Sequence, residues 1–204
     1  MTPYLRDPAQ IYRRSFEIIR SEADFSRLPA DAEEVATRVV HACGMPEIAP
    51  DLRISPDFVT AAKSALAAGR PVLVDAEMVR HGIIDKQLNV ICTLNDPRAR
   101  EIGIASGNTR SAAAVELWRP YLEGSIAVIG NAPTALFALL EMIDGGAPKP
   151  AAVIGFPVGF VGAAESKDEL AANPRGIAFA TLLGRRGGSA MAASVVNALM
   201  RGAQ

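Results

Sequence analysis

Ser125-Ile-Ala-Val-Ile-Gly130-Asn-Ala-Pro-Thr134 is the stretch on which the fold turns. Its apolar run has no polar alternation, which is how a strand reads when a parallel sheet is covered on both faces. A glycine turn closes the run, and a helical stretch follows from Ala132 to Ile143. Four more runs share the pattern: Pro71-Val-Leu-Val-Asp75, Asn89-Val-Ile-Cys-Thr-Leu94, Ala151-Ala-Val-Ile-Gly155 and Ile177-Ala-Phe-Ala-Thr-Leu-Leu183. Helical stretches between the later runs cover Thr109 to Tyr121 and Val161 to Ala172, and a last one runs from Ser189 to Met200. Strands alternating with helices predict an α/β domain, a doubly wound parallel five-stranded sheet with right-handed crossovers.

Outward from the sheet, the chain before Pro71 reads as three helices. Asp7-Pro8 caps the first, which reaches Ala23 with Ile11, Ile18 and Ile19 as its apolar stripe and Phe16 on the flank. Leu28-Pro29-Ala30-Asp31 breaks the chain and caps a second helix to Cys43, whose apolar side carries Val35, Val39, Val40 and Cys43 and whose stop is Gly44. Ser55-Pro56-Asp57 starts the third, Phe58 to Ala68. These form an N-terminal helical elaboration. No repeat or linker divides the chain, so a single domain over residues 1–204 is expected.

Composition excludes several functions. Half of the 204 residues are apolar, enough for a sizeable core, and a formal net charge of −1 offers no field for nucleic acid or a membrane surface. Cys43 and Cys92 are too few for a disulfide framework and too far apart for a zinc site, so both thiols are expected to pack as small hydrophobes in a reducing compartment. The N-terminus lacks an apolar signal core, and no later run is long enough to span a bilayer. The expectation is a soluble cytoplasmic protein with no metal site.

In a doubly wound sheet the functional loops leave the carboxyl ends of the strands. Here they are Asp75-Ala-Glu77, Asn95-Asp-Pro97 with Gly107-Asn108-Thr109-Arg110, Gly130-Asn131-Ala132-Pro-Thr134, Gly155-Phe-Pro-Val-Gly-Phe-Val-Gly162 with Glu165-Ser-Lys167, and Gly184-Arg185-Arg186-Gly187-Gly188-Ser189. Several place glycine with Ser, Thr or Asn at a helix start, where free N–H groups can receive an anion. Each is also an ordinary capped turn. The Gly184 loop lacks the Gly-Lys-Ser/Thr ending of a nucleoside triphosphatase, and no complete Gly-x-Gly-x-x-Gly follows the first strand. Asp75 and Glu77 read as paired acid and base or, more commonly, as a cap and a solvated residue.

One histidine stands out. His41 is one of two in the chain and lies late in the second helix, where an imidazole can face a cleft and exchange a proton near neutral pH. Spacing alone favours a histidine satisfied in the core or at the helix end. His81, beside Gly82 near a loop, gets no role.

Together these segments resemble the precorrin-8X methylmutase family of cobalamin biosynthesis. The matching motifs run in order over nearly the whole chain: Tyr12-Arg-Arg-Ser-Phe-x-Ile-Ile, Arg38-Val-Val-His-Ala-Cys-Gly44, Asp75-Ala-Glu-Met-Val79, Gly107-Asn-Thr-Arg-Ser-Ala112, Gly130-Asn-Ala-Pro-Thr-Ala-Leu136, Pro157-Val-Gly-Phe-Val-Gly-Ala-Ala-Glu-Ser-Lys167 and Gly187-Gly-Ser-Ala190. The resemblance implies a flavodoxin-like sheet and a homodimeric isomerase that moves a methyl group between neighbouring carbons of ring C. Precorrin-8X becomes hydrogenobyrinic acid, and an anaerobic branch uses the cobalt-containing analogue. It implies that His41 protonates the macrocycle near ring C and promotes a sigmatropic shift.

Such a reaction within one molecule needs no methyl donor, hydride carrier or metal, so no cofactor is expected. It needs a broad pocket for a flat macrocycle ringed by carboxylates. Arg14, Arg110, Arg185 and Arg186 can supply charged contacts. The other expected substrate contacts are Ser15, Asp75, Asn108, Thr109, Asn131, Ala132, Lys167, Gly188 and Ser189. The reading from a different class is a flavodoxin-like carrier that holds a tetrapyrrole without chemistry.

Overall fold

In the computed structural model, which describes residues 4–200, all five apolar runs form strands, and a sixth precedes them. They are β1 (Leu52–Ile54), β2 (Val72–Val74), β3 (Val90–Cys92), β4 (Ile126–Ile129), β5 (Ala152–Gly155) and β6 (Ala178–Leu182), in the order β1-β6-β5-β4-β2-β3. The five parallel strands taken alone run 2-1-3-4-5, the flavodoxin order. The sixth corrects the expected count: β1 adds antiparallel to β6, pairing Leu52 with Leu182 and Ile54 with Ala180. With three residues and Arg53 at its centre, it had no apolar run to announce it.

Nine α-helices are present among the described residues: α1 (Pro8–Glu22), α2 (Glu33–Cys43), α3 (Phe58–Ala67), α4 (Glu77–Gly82), α5 (Pro97–Ser106), α6 (Arg110–Glu116), α7 (Pro133–Asp144), α8 (Ala163–Ala172) and α9 (Ser189–Met200). The three N-terminal helices fall within a residue or two of expectation. Two were unread. Helix α5 has only Ala99 and Gly103 fully buried, so small residues do its packing and leave no apolar stripe. Helix α4 is six residues long and contains His81, which the sequence suggested lay near a loop.

The register sorts side chains to two cores. Val72, Ile126, Ala152 and Ala178 pair in one row and face α2, α3, α4 and α9; Leu73, Ala127, Val153 and Phe179 form the next row and face α6, α7 and α8. Each strand therefore buries both faces, which is why polar alternation is missing from the sequence. Helix α2 lies against α9 through Val35, Val39 and Val40, all buried. Helix α1 lies outside α2 and buries Phe16 and Ile19, whereas Ile11 and Ile18 stay exposed. The expected stripe was therefore rotated toward Phe16.

Candidate active site

The switch point of the sheet, where a doubly wound fold forms its crevice, lies between β2 and β4, where the strand order reverses. Asp75, the residue after β2, is buried there and accepts hydrogen bonds from the backbone N–H groups of Gly130 (2.8 Å), Asn131 (3.0 Å) and Ala132 (2.8 Å). Burial pushes its carboxyl above the ordinary value, against the pull of these donors. The anion expected at this turn is thus an internal carboxylate. Asp75 and the main chain of Asn131 and Ala132 hold the loop, and the exposed Asn131 side chain is what faces outward.

Gly130 must be glycine for a packing reason. A Cβ there would lie 2.6 Å from Val79 Cγ2 and 2.9 Å from Ala192 Cβ, so β4 would lose its approach to α4 and α9. Ser189 is buried beside it, with Oγ 3.5 Å from the Gly130 carbonyl. The Gly188 N–H donates to the Phe156 carbonyl at 2.8 Å, and a Cβ on Gly187 would strike the Phe156 and Pro157 carbonyls. Lys167, fully buried, donates from Nζ to the Arg186 carbonyl at 2.5 Å, and burial pulls its ammonium down from 10.5 to about 8. Gly188, Ser189 and Lys167 therefore brace two loops, one on the other.

The arginines remain available at the surface. Arg110, at the start of α6, is exposed and has no hydrogen bond or ion pair among the described residues. Thr109 caps that helix by accepting from Ala112 N–H at 3.1 Å, and its hydroxyl meets Thr134 at 2.8 Å, tying α6 to α7. The Asn108 side-chain oxygen accepts from Thr109 N–H at 2.8 Å. Arg185 lies over the exposed Phe160 ring, 5.5 Å from its centroid. Arg186 pairs with Glu47 at 3.3 Å and Arg14 with Glu17 at 3.5 Å, both at exposed positions that contribute little to stability.

His41 is exposed in the last turn of α2, one turn before Gly44 ends the helix in the left-handed region (φ 69°). Its Nδ1 lies 2.9 Å from Ser15 Oγ on α1. Val40, His41, Gly44 and Pro46 form one side of a cleft of about 200 Å³, and Ser15, Ile18, Ile19 and Glu22 the other. Phe16 packs 5.4 Å from the imidazole, centroid to centroid. The Arg38 guanidinium lies 5.5 Å from the Tyr12 ring and 5.4 Å from the Phe16 ring, and it bonds Glu34 at 3.1 Å and the Tyr12 hydroxyl. Tyr12, Phe16 and Arg38 had no expected functional part, although two aromatics one turn apart, with an arginine one turn before the histidine, are a visible signal.

The expected residues therefore form groups. His41 and Ser15 touch; Asp75, Asn131, Ala132 and Ser189 meet at the crevice; Lys167 and Gly188 support the Arg185–Arg186 loop. The Asn108–Arg110 turn opens the helical layer on the other face of the sheet from α2. Both thiols are held protonated: burial raises Cys43 and pushes Cys92 up to about 11.

Residues 10–202 match the family model described as precorrin-8X methylmutase. A precorrin-8X methylmutase of Pseudomonas aeruginosa is 57% identical over 98% of this chain and 98% of its own. A cobalt-precorrin-8 methylmutase of Priestia megaterium is 33% identical over 97% of this chain and 89% of its own. The crystal structure of a precorrin-8X methylmutase from Thermus thermophilus superposes with a TM-score of 0.84 at 34% identity, covering 95% of each chain.

Proposed function

The chain belongs to the precorrin-8X methylmutase family, and on that premise we propose that His41 gives the proton that starts the methyl shift. The enzyme is an isomerase, and membership of this family sets aside the carrier without chemistry. Protonation near ring C makes the ring electron-poor and lowers the barrier to migration of the methyl group to the neighbouring carbon. The proton then returns to the imidazole, so nothing is consumed. The observation that carries this reading is the exposed imidazole on a cleft wall, held at one nitrogen and open at the other.

The proposed substrate is metal-free precorrin-8X, supported by the far higher identity to relatives of that name than to the cobalt-named ones. Arg14, Arg110, Arg185 and Arg186 are proposed to meet its peripheral carboxylates, with Asn108, Thr109 and Asn131 near them. Arg110 is the strongest candidate because its guanidinium has no internal partner among the described residues. A cleft of about 200 Å³ falls short of the roughly 300–1,000 Å³ of small-molecule pockets. That shortfall supports a homodimer in which a second copy closes the site, in one domain per chain. A reducing cytoplasm suits the two free, half-buried thiols.

Visible absorption during incubation with precorrin-8X tests the reading. The parent protein is expected to generate a corrin chromophore. His41→Asn, which keeps a polar group but cannot titrate, should bind hydrogenobyrinic acid and lose about 10² to 10⁴ in rate. Turnover near the parent rate would remove His41 from the chemistry.

A further inference from the structure

We infer that Ser15 is a positioning residue that keeps the Nδ1 proton of His41 in place, so that Nε2 alone exchanges a proton with the substrate. The inference rests on the reading of His41 as the proton donor, and it changes the part expected of Ser15 from substrate contact to ring orientation. Three observations carry it. Ser15 Oγ and His41 Nδ1 are 2.9 Å apart, a full hydrogen bond between two helices, whereas Nε2 has no partner among the described residues. Both residues line the same cleft, so the imidazole and its serine partner lie together where a ligand could enter. The two helices that carry the pair are also packed together. Phe16, next to Ser15 in sequence, is buried against the imidazole, and Arg38 of α2 lies against both Phe16 and Tyr12 of α1.

A 2.9 Å contact can carry its hydrogen in either direction, and the proton balance selects one. The acid form of the ring holds a proton on each nitrogen. When Nε2 gives its proton to the macrocycle, the neutral ring left behind carries its hydrogen on Nδ1. After the methyl group has moved, Nε2 takes a proton back from the macrocycle and the acid is restored. Throughout this cycle Nδ1–H donates and Ser15 Oγ accepts. In that acceptor role Ser15 holds the neutral tautomer that water disfavours, since a free imidazole prefers its hydrogen on Nε2. The two ring nitrogens are distinguished by the partner of one of them.

His81 is the comparison built into the chain. It is exposed on α4, with the Glu77 carboxylate 3.9 Å from its Nε2. With two histidines in the protein, ¹⁵N-histidine labelling gives two imidazoles, and His41→Asn identifies the remaining signal as His81. In the ligand-free parent at a pH where the rings are neutral, His41 should show the Nδ1–H tautomer and His81 the Nε2–H tautomer. Ser15→Ala should return His41 to the Nε2–H form, lower kcat about three- to tenfold for the loss of one hydrogen bond, and leave product affinity unchanged. Ser15→Thr keeps the hydroxyl and should restore both signal and rate. An Nε2–H tautomer in the parent overturns the inference, as does a Ser15→Ala variant that loses product affinity while the His41 signal stays put. The tautomer is read without substrate, so the inference can fail while His41 still proves essential. Full turnover by His41→Asn instead sinks the proposed function.

Discussion

His41 is exposed and Asp75 is buried, and the contrast decides what each can do. A buried carboxylate that already accepts from three loop N–H groups is committed to the fold, so Asp75 should matter to stability first. Asp75→Ala would strand those donors and is expected to cost about 2–5 kcal/mol, measured by urea denaturation. A loss confined to activity would reassign the residue to the substrate. Arg110 should show the opposite signature. Exposed and unpaired among the described residues, it can leave without disturbing the fold, whereas a charged hydrogen bond to a carboxylate is worth roughly 1.5–3 kcal/mol. Titration of Arg110→Ala with hydrogenobyrinic acid should give affinity ten- to a hundredfold weaker, on the order that energy implies. Unchanged affinity would return Arg110 to the solvated surface.

At the scale of elements, the loops that leave β5 and β6 depend on Lys167, whose pH response is a handle on them. The folded chain pulls its ammonium down from 10.5 to about 8, so between those values the unfolded chain binds more protons. The Lys167 contribution to stability should therefore rise as pH climbs through that window. The Cys92 thiol, pushed up to about 11, pulls the other way in both proteins, so it is the difference between the parent and Lys167→Met that should change with pH. Urea midpoints taken just below pH 8 and again near 10.5 decide it. Parallel curves for both proteins would mean that the ammonium feels no burial cost. Legibility in the sequence followed the physics of each element. The five parallel strands were readable because both faces are buried, and α9 because Ser189 and Met200 bound an apolar run. Strand β1 escaped because three residues pairing at an edge leave no pattern, and α5 because alanine and glycine do its packing. The site was less legible than the fold. Composition and motif mark Asp75, Gly188 and Lys167 as interesting, but only tertiary hydrogen bonds reveal that their polar groups are already used.

For the molecule as a whole, the exposed surface bears on assembly. The exposed surface carries Val158, Phe160 and Val161 on one loop and Ile11 and Ile18 on α1, apolar area that a monomer has reason to cover. Sedimentation is expected to give a dimer at micromolar concentration, and a monomer there would remove the proposed second copy from the site. The antiparallel pairing of β1 decides where His41 sits. Because Leu52 opens β1 opposite Leu182 at the close of β6, the short segment from Gly44 to Asp51 is delivered to the rim where the strands of the parallel sheet end. Had β1 run with its neighbour, the same segment would have emerged beside Ala178, and His41 would have been carried to the far rim, a strand's length from Arg185 and Arg186. The polarity of three edge residues thus acts as a compass for the helical extension, pointing its histidine at the end of the sheet where the arginines wait.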